Sequence, residues 1–510
     1  MVLNGRRCSR RNFLKNSLAC TLALGIPRWA YAGTNTVRPL NFVFFLIDDL
    51  GWADTGCYGS TFYKTPNIDL LASEGMRFTD AYSASPVCSP TRASIMTGKN
   101  PARLGITDWI CANKPQEIYK AVFPYMLVNH LDRIRGRTQG VLHPPEHGSY
   151  LPLEEVTLAE AFHQAGYTTF FAGKWHLGGG HYLPERQGFD INIGGNHWGQ
   201  PPGGYFSPYK NPQLPDGPKG EYLTDRLSQE AVEFLEGNKD RPFLLFLSHY
   251  SVHTPIQGKQ EKTARYKSMR KDIDNGEEIR NIDGIRTRVR QGNPDYAAMV
   301  ESVDESVGRV LEKLKDLGLE ENTAVIFVSD NGGQSTRETI TANSPLHYGK
   351  GWLYEGGIRV PMIIKWPGTV EPGSECNEPV ITDDLYPTML QMAGRPLMPE
   401  QHMDGVSLAP FLQKTGSIDR DALFWHFPHY NFSDSVPAGA IRNGRYKLIE
   451  FFEDNHIELY DLNTDIGEEN NLASEMPEKV AELKTKLYNW RKTIGARMPT
   501  NWDENWKTDS

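Results

Sequence analysis

The sequence predicts an α/β protein: helices cover both faces of a large, mostly parallel mixed β-sheet, and a smaller C-terminal α+β unit with an antiparallel sheet follows. Continuous apolar runs recur between residues 40 and 364, as is typical of strands buried on both faces of a parallel sheet. Helical patterns lie between these runs, which is the order of elements in α/β domains. After Gly394 the pattern changes to turn-forming residues and shorter strand-like runs.

Each predicted element has its own pattern. The predicted strands of the first domain are Leu40–Ile47, Thr168–Ala172, Phe243–Leu247, Ala324–Val328 and Val360–Ile364. The predicted helices between them are Asn67–Met76, Val156–Ala165 and Tyr296–Leu317. The first helix follows a Thr-Pro pair that favours a helix start, and the third has apolar residues near a 3.6-residue period before Gly318. The C-terminal unit has strand-like runs at Ala440–Phe452 and Glu458–Leu462 and a final helix at about Pro477–Ile494.

Length and composition restrict the class of protein. The chain has 510 residues, of which 39% are hydrophobic and 23% charged, so it is globular rather than disordered or fibrous. We predict an N-terminal domain over residues 33–400 and a C-terminal α+β subdomain over residues 401–510. The formal net charge is -9, and a free-standing nucleic-acid-binding protein is usually basic. Nucleic acid is therefore not expected as a partner.

Two segments, residues 112–147 and 257–293, have the character of insertions. The second contains ten Lys and Arg residues against six Asp and Glu residues. The ordinary interpretation is a solvated loop. The alternative is a basic surface for a polyanionic substrate on an otherwise acidic protein.

The first 32 residues have the pattern of an export signal. They contain six basic residues and no acidic residue, with the sequence Ser9-Arg10-Arg11-Asn12-Phe13-Leu14-Lys15 near the start. A short apolar stretch and Ala30-Tyr31-Ala32 follow, which is typical of a cleaved secretory signal. The paired arginines indicate the twin-arginine type, and the apolar stretch is too short to span a bilayer. We predict export by the twin-arginine machinery to the periplasm or the exterior, with no membrane attachment after cleavage. An uncleaved N-terminal helix is the alternative.

Acidic side chains follow two of the predicted strands. Asp48 and Asp49 come directly after the first strand, and Asp330 and Asn331 follow the strand at Ala324–Val328. Because functional sites of parallel sheets lie at the carboxyl ends of strands, these oxygens are expected to meet. Buried carboxylates that lie together are costly unless a cation lies between them, and an all-oxygen set suits Ca²⁺ or Mg²⁺. The alternative is that one Asp only caps the next helix.

A cysteine lies where a further helix is predicted to start. Cys88 is followed by Ser89-Pro90-Thr91-Arg92, and proline is common near the first position of a helix. A helix N-terminus favours anions, and Arg92 adds a positive charge one turn later. A cysteine in this setting can be a nucleophile. The alternative is a buried structural thiol.

Cys88-x-Pro90-x-Arg92 resembles the maturation signature of type I sulfatases, in the alkaline phosphatase superfamily. Further blocks match the family in order: Asp48-Asp49, Gly173-Lys174-Trp175-His176-Leu177-Gly178, His253-Thr254-Pro255, Asp330-Asn331-Gly332 and Gly349 to Arg359. They span roughly residues 40–365, and the C-terminal unit is also similar to the small domain of the family. Thr91 is a small departure, because Ser or Ala is commoner there. The resemblance implies the alkaline-phosphatase-like fold and a sulfate-ester hydrolase, and the signal pattern predicts that it is exported.

The resemblance also implies roles for single residues. Asp48, Asp49, Asp330 and Asn331 would hold one divalent cation, Ca²⁺ in most relatives with Mg²⁺ possible, and the modified Cys88 would complete its coordination. A formylglycine-generating or radical maturation enzyme would convert Cys88 to Cα-formylglycine, whose hydrate attacks sulfur. Arg92, Lys174 and Lys350 would neutralise the transferring group. His253 would protonate the leaving oxygen, and His176 would take the proton that allows sulfate to leave.

Taken alone, Lys174 and His176 are more often a solvated lysine and a hydrogen-bonded histidine. Together with the other blocks, the functional interpretation is favoured. Three histidines in loops with aromatic residues, His197, His426 and His429, are candidates for the substrate pocket, although loop packing explains them equally well. A sulfated carbohydrate is the expected substrate class.

Two other functions remain open. A phosphate- or phosphonate-ester hydrolase of the same superfamily is the first, but many such relatives use two metals, and the sequence offers one convincing oxygen cluster. A catalytically inactive glycan-binding relative is the second, but it is expected to lack Cys88, Arg92 or Lys174, and all three are present.

Overall fold

The computed structural model describes residues 38–110, 142–271 and 278–501. The predicted signal segment and most of the predicted insertion 112–147 lie outside these residues. The described strands are β1 (Asn41–Ile47), β2 (Met76–Phe78), β3 (Ala81–Tyr82), β4 (Leu142–His143), β5 (Thr168–Gly173), β6 (Ile191–Ile193), β7 (Phe243–Ser248), β8 (Ile279–Ile282), β9 (Ile285–Arg288), β10 (Thr323–Ser329), β11 (Met362–Lys365), β12 (Ser374–Cys376), β13 (Val380–Ile381), β14 (Leu423–Phe427), β15 (Ala438–Asn443), β16 (Tyr446–Phe451), β17 (Ile457–Asp461) and β18 (Thr500–Asn501).

The helices alternate with the strands of the first domain, as the sequence predicts. The described α-helices are α1 (Pro66–Glu74), α2 (Cys88–Thr97), α3 (Pro101–Leu104), α4 (Leu158–Gln164), α5 (Leu223–Asn238), α6 (Gln260–Lys271), α7 (Pro294–Asp316), α8 (Glu355–Ile358), α9 (Leu385–Met392), α10 (Ala409–Leu412) and α11 (Pro477–Ile494). Short 3₁₀ turns lie at Gly56–Tyr58, Gly180–Tyr182, Pro184–Arg186, Glu320–Asn322 and Thr382–Asp384. Within the described residues, no helix combines the length and the apolar character that are needed to cross a membrane.

The main sheet has eight strands in the order β12-β2-β11-β10-β1-β7-β5-β6. Strand β11 pairs antiparallel with both of its neighbours, and the other pairs in this sheet are parallel. Ile47 at the end of β1 pairs with Ser329 at the end of β10, and Ser248 of β7 pairs with Gly173 of β5. The carboxyl ends of these four central strands therefore lie along one edge, and the predicted fold class is confirmed.

Two hydrophobic cores cover the faces of this sheet. Phe42, Phe44 and Leu46 of β1 face one core, while the alternate residues of the same strand face the other. This alternation follows from the two-residue period of a strand and requires helices on both faces. Leu408 and Leu412 also pack in the first core, and the predicted domain division after residue 400 stays a prediction.

The C-terminal unit is a four-stranded antiparallel sheet in the order β14-β15-β16-β17. One face packs against α11, and the other packs against the first domain through residues such as Trp425 and Trp352. The prediction of one strand-like run over Ala440–Phe452 was too coarse. This run divides into β15 and β16, because the two-residue loop Gly444-Arg445 forms a tight hairpin turn in which Gly444 has a φ of 59°.

A buried ionic network joins the two units. Nζ of Lys447 on β16 lies 2.8 Å from Oε1 of Glu355, the first residue of α8, and 2.9 Å from Oε1 of Glu468. These three side chains are buried. Glu355 also accepts a hydrogen bond from the Tyr82 hydroxyl at 2.6 Å, and its backbone N–H donates to Glu468. Lys447 thus supplies the charge that two buried carboxylates from different parts of the chain require.

Replacing Lys447 with methionine is expected to destabilise the protein strongly, because it leaves two buried carboxylates without their shared cation. Breaking a buried pair in this way costs about 3–5 kcal/mol. Lys486→Met is the matched control, since Lys486 pairs with the exposed Asp421 and such pairs contribute about 0–1 kcal/mol. Thermal unfolding measures both variants. Equal shifts in Tm would contradict the role of the network.

Candidate active site

The site lies at the carboxyl edge of the four central strands. Asp48 and Asp49 follow β1, and Asp330 and Asn331 follow β10. The backbone N–H of Asp330 donates to the Ile47 carbonyl at 3.1 Å, and the N–H of Asp49 donates to Oδ1 of Asp330 at 3.2 Å. The two acidic strand ends are therefore locked together by the register of β1 and β10.

Three basic side chains compensate these carboxylates. Nζ of Lys174 lies 2.7 and 2.9 Å from the two carboxylate oxygens of Asp48. Nζ of Lys350 lies 2.8 Å from Oδ2 of Asp49. Each acid is buried, so each of these contacts is made away from solvent. The third basic side chain is the guanidinium of Arg92, on the helix that begins at Cys88.

Helix α2 brings Cys88 and Arg92 to the same edge. Cys88 is its first residue and is only 2% exposed. Nε of Arg92 donates to Oδ2 of Asp330 at 2.9 Å, and Nη1 donates to the Lys174 carbonyl and to Oγ of Ser248, each at 2.7 Å. Arg92 therefore ties the helix to β10, to β7 and to the turn after β5.

Cys88 is the meeting point of two groups of potential ligands. The ligand atoms of Asp48, Cys88 and Asp330 all lie within 4.8 Å of one another, and so do those of Asp49, Cys88 and His253. Nζ of Lys350 lies 3.6 Å from Sγ of Cys88. The structure thus brings the predicted acids, the cysteine and Lys350 into one centre.

The loop that carries Lys350 is held from both sides. The N–H of Gly351 donates to the carbonyl of Pro86, two residues before Cys88, at 2.9 Å. The indole of Trp352 donates to the Ser433 carbonyl at 2.9 Å, and the Tyr354 hydroxyl donates to Glu458 at 2.6 Å. The C-terminal unit therefore fixes the position of the Lys350 ammonium group, which contacts Cys88.

Burial governs the ionisation of the centre. It raises the pKa of Asp48 to about 8, although Lys174 acts in the opposite direction, and it raises the pKa of Cys88 to about 12. Burial also acts to raise the pKa of Asp49, but Lys350 and His253 outweigh it and the pKa falls below its usual range. The Asp48 pKa is raised because Asp48 is buried and shares its site with two other carboxylates, Asp49 and Asp330. An unmodified Cys88 is a protonated thiol at neutral pH.

The two predicted proton-transfer histidines have different settings. Nε2 of His176 lies 2.9 Å from the Ile110 carbonyl, so Nε2 carries a proton, and Nδ1 has no hydrogen-bond partner among the described residues. Burial lowers the His176 pKa well below its usual value, which leaves Nδ1 as a free proton acceptor. Nδ1 of His253 lies 2.9 Å from the Thr254 carbonyl, and Nε2 lies 3.8 Å from Oδ2 of Asp49. Burial and Lys350 lower the His253 pKa to about 3.

Two residues of the centre have unusual backbone angles. Asp49 has a φ of 60° and His176 a φ of 57°, in the left-handed region that most residues avoid. Each such residue costs of order 1–3 kcal/mol, and such strain is found most often at functional sites. Gly173, before Lys174, has a φ of 105°, and a Cβ there would lie 1.9 Å from the Ser248 carbonyl oxygen. Only glycine fits this close approach of β5 to β7.

The three candidate substrate histidines have different hydrogen-bond partners and neighbours. The ring of His197 touches Gly179, in the turn after His176. Nε2 of His429 lies 2.8 Å from Oγ1 of Thr107, in the segment that leads to Ile110. Nε2 of His426 lies 2.9 Å from the Arg497 carbonyl, inside the C-terminal unit. His197 and His429 thus adjoin segments of the centre, whereas the ring of His426 makes its hydrogen bond within the C-terminal unit.

Sequence reasoning did not select Ser248 or the Ile110 carbonyl. Oγ of Ser248 accepts a hydrogen bond from Arg92 and donates one to the Lys174 carbonyl. The position of Ser248 at the end of a buried strand was the available signal. Ile110 gave no signal, because it acts through its backbone.

The basic side chains of the segment 257–293 are largely paired. Within the described part of this segment, five of them form ion pairs with carboxylates: Lys259, Lys262, Arg265, Arg270 and Arg288. Their charges are therefore used within the fold, which favours the ordinary interpretation of this segment over a basic surface for a polyanion.

The donor set fits a hard divalent cation. Nδ2 of Asn331 donates to Oδ1 of Asp49 at 2.8 Å, whereas its buried Oδ1 has no hydrogen-bond partner among the described residues. Three buried carboxylates and a free amide oxygen are the ligands that Ca²⁺ and Mg²⁺ prefer. The two potential ligand groups share Cys88, so within the described residues they form one centre.

Comparisons with known proteins identify the family. The family model described as sulfatase matches residues 40–395, and the model described as N-sulphoglucosamine sulphohydrolase, C-terminal, matches residues 346–493. Arylsulfatase A of Homo sapiens is 33% identical over 519 residues, which cover 89% of this chain and 88% of the human protein. The chain belongs to the sulfatase family. The resemblance drawn from the sequence is confirmed, and this sulfatase is a sulfuric ester hydrolase.

Two further proteins are similar to this sulfatase. N-acetylgalactosamine-6-sulfatase of Mus musculus is 31% identical over 437 residues, which cover 80% of this chain and 73% of the mouse protein. A crystal structure of Ps i-CgsB in complex with k-i-k-neocarrahexaose matches with a TM-score of 0.69 at 29% identity. The match covers 89% of this chain and 93% of that chain.

For a Ca²⁺ ion held by this donor set, Asn331→Leu is expected to remove most of the stabilisation, because it removes an amide oxygen from the donor set. A ligand at a hundredfold excess over its Kd stabilises a protein by about 2.7 kcal/mol. Asn41→Leu is the matched control, since Asn41 is a buried asparagine at the opposite end of β1. The measurement is the rise in Tm on adding Ca²⁺ to chelator-treated protein. A full rise in the Asn331→Leu variant would refute the assignment.

Proposed function

We propose that this sulfatase hydrolyses sulfate esters of carbohydrates with a Cα-formylglycine made from Cys88 and one divalent cation, Ca²⁺ with Mg²⁺ possible. The observation that carries the proposal is the position of Cys88 within both groups of buried ligands, 3.6 Å from Nζ of Lys350. A serine or cysteine hydrolase needs a base next to its nucleophile. Cys88 faces three carboxylates, Lys350 and His253, and this mixed set suits a metal-bound nucleophile better than a simple thiol–histidine pair.

The residues that would hold the cation are Asp48, Asp49, Asp330 and Asn331. When bound, the cation and the hydrated formylglycine together supply an ionised hydroxyl that attacks sulfur and a Lewis acid for a sulfate oxygen. The carboxylates fit this role because burial, and then repulsion from Asp330 and Asp49, raises the Asp48 pKa, and a bound cation offsets both effects.

Arg92, Lys174 and Lys350 would position the sulfate and neutralise its charge. Lys174 and Lys350 contact the acids through Nζ, so each can share its remaining N–H groups with an anionic oxygen. Arg92 is tied to Asp330 and Ser248 and acts as a fixed charge behind the sulfate. Fixed donors of this kind stabilise a transition state without reorganisation.

The two histidines would divide the proton transfers. His176 suits the base role, because its Nδ1 lone pair is free and burial keeps the ring neutral. His253 would donate only when protonated. The negative charge of a bound sulfate ester acts against the burial and the lysine that lower the His253 pKa. Lys350, whose pKa is raised by Asp49 in spite of burial, remains a second proton donor at the leaving oxygen.

Maturation and export are parts of the same proposal. Cys88 is 2% exposed at the first position of α2, so a formylglycine-generating or radical maturation enzyme would reach it before folding is complete. The twin-arginine pattern supports export to the periplasm or the exterior, with cleavage after Ala32. The N-terminal sequence of the secreted or periplasmic protein checks this cleavage.

The carbohydrate preference is supported by the relatives and by the loops. One relative is named N-acetylgalactosamine-6-sulfatase, and the similar crystal structure of Ps i-CgsB is in complex with k-i-k-neocarrahexaose. His197 and Trp198 lie beside the turn that carries His176. A phosphate- or phosphonate-ester hydrolase is the alternative function. It is less favoured because the described residues offer one ion centre rather than two.

Lys350→Met is expected to lower kcat/KM for an aryl sulfate by about 10²–10³, the usual effect of removing one fixed transition-state donor. Lys365→Met is the control. Lys365 is a buried lysine on β11, outside the centre, and it forms ion pairs with Glu74 and Glu320. Wild-type protein should also prefer an aryl sulfate over the matched aryl phosphate. Preference for the phosphate would favour the alternative function, and equal losses in the two lysine variants would refute the role of Lys350.

A further inference from the structure

Two tyrosines form a stacked pair on the surface next to the candidate active site. The rings of Tyr150 and Tyr182 lie 3.7 Å apart between centroids, with their planes 13° apart. Tyr150 is 41% exposed, and Tyr182 is half-buried. Tyrosine offers a rigid apolar ring face with a polar tip, and such exposed faces are common in ligand-binding sites.

The backbone is shaped to bring these two rings together. Gly178 has a φ of 113°, and a Cβ there would lie 2.7 Å from Cβ of Tyr150 and 2.9 Å from Cβ of Tyr182. Any larger residue at this position would separate the tyrosines or move the turn. The stacked pair is therefore a built feature of the turn and not a chance contact of two long side chains.

The same turn carries the predicted catalytic residues. Trp175 lies between Lys174 and His176 in the chain. Its indole N–H donates a hydrogen bond to the Tyr182 carbonyl at 2.8 Å. The N–H of Leu151, next to Tyr150, donates to the carbonyl of Leu177 at 2.9 Å. Both tyrosines are thus held at fixed positions relative to the centre around Cys88.

Two histidine rings pack on glycines near the turn that links the centre to the tyrosines. The buried ring of His176 packs against Gly199, and the half-buried ring of His197 packs against Gly179. His197 and Trp198 have ring centroids 4.5 Å apart. His176 is buried, His197 is half-buried and Tyr150 is exposed, so these residues range from the buried centre to the surface.

The chemistry of the pair selects its ligand. The tyrosine rings carry no charge, so they suit an uncharged part of the substrate, while the sulfate suits Arg92, Lys174 and Lys350. The C–H face of a sugar ring packs on an aromatic face, and its hydroxyls bond to neighbouring polar groups. A protein partner would need about 800 Å² of surface, far more than two rings provide.

We propose that Tyr150 and Tyr182 form a sugar-binding subsite for the unit next to the sulfated sugar, so that this sulfatase acts on oligosaccharides in preference to monosaccharides. The proposal rests on the carbohydrate function proposed above. It adds the placement of a second sugar unit and the residues that hold it. Because the pair lies outside the reacting centre, its contribution is to binding of the longer substrate.

The wild-type protein is first tested on oligosaccharides from carrageenan, chondroitin sulfate and heparin to find one that it desulfates. The test then compares a sulfated hexasaccharide from that source with the corresponding sulfated monosaccharide. In the double variant Tyr150→Ala and Tyr182→Ala, the ratio of kcat/KM for hexasaccharide over monosaccharide should fall about tenfold, the effect of one stacking contact. The loss should be in KM, because the contact is the same in ground and transition states.

Two controls separate stacking from folding. The double variant Tyr150→Phe and Tyr182→Phe keeps the ring faces and should keep most of the preference. Tyr488→Ala removes a tyrosine that is 62% exposed on α11 and should leave all rates unchanged. A double alanine variant that retains the wild-type preference, or that loses both substrates equally, would overturn the subsite. Activity on aryl sulfates with none on any sulfated sugar would instead refute the carbohydrate function itself.

Discussion

The structure depends on the concentration of three buried carboxylates at one edge of the main sheet. Asp48, Asp49 and Asp330 follow two neighbouring parallel strands, so the register of β1 and β10 forces them together. Burying charge without compensation costs several kcal/mol for each ion. Three basic side chains, Arg92, Lys174 and Lys350, compensate the negative charge of these carboxylates. The same oxygens form the donor set for a cation.

The compensation draws on distant parts of the chain. Arg92 comes from the helix that begins at Cys88, Lys174 from the turn after β5, and Lys350 from a loop held by the C-terminal unit. The network around Lys447 fixes the helix that follows the Lys350 loop. The small sheet is therefore a support for the centre as well as a second packing unit. Apolar residues of similar volume are often at least as stabilising as a buried ion pair. We therefore interpret the network as a means of fixing the position of the helix.

Much of the fold and the centre could be predicted from the sequence. The strand ends were predictable because buried apolar runs stop at charged residues. The predicted helix start singled out Cys88 and Arg92, and the resemblance gave them roles and added Lys350. Contacts made by backbone groups, such as the Ile110 carbonyl on His176, could not be predicted. Neither could the pairing of Lys447 with Glu355 and Glu468, because no local pattern connects them. His426 and His429 are near in sequence, yet their rings meet different surroundings, and only the structure separates them.

The proposed chemistry depends on one buried cysteine, so the mass of the peptide that carries Cys88 tests it most directly. Protein that releases sulfate from an ester should yield this peptide with the mass of the aldehyde. The expectation follows from the setting of Cys88, which lies among buried carboxylates and beside Lys350, and where burial raises the pKa of the unmodified thiol. An intact thiol in protein that turns over sulfate esters at full rate would contradict the central claim.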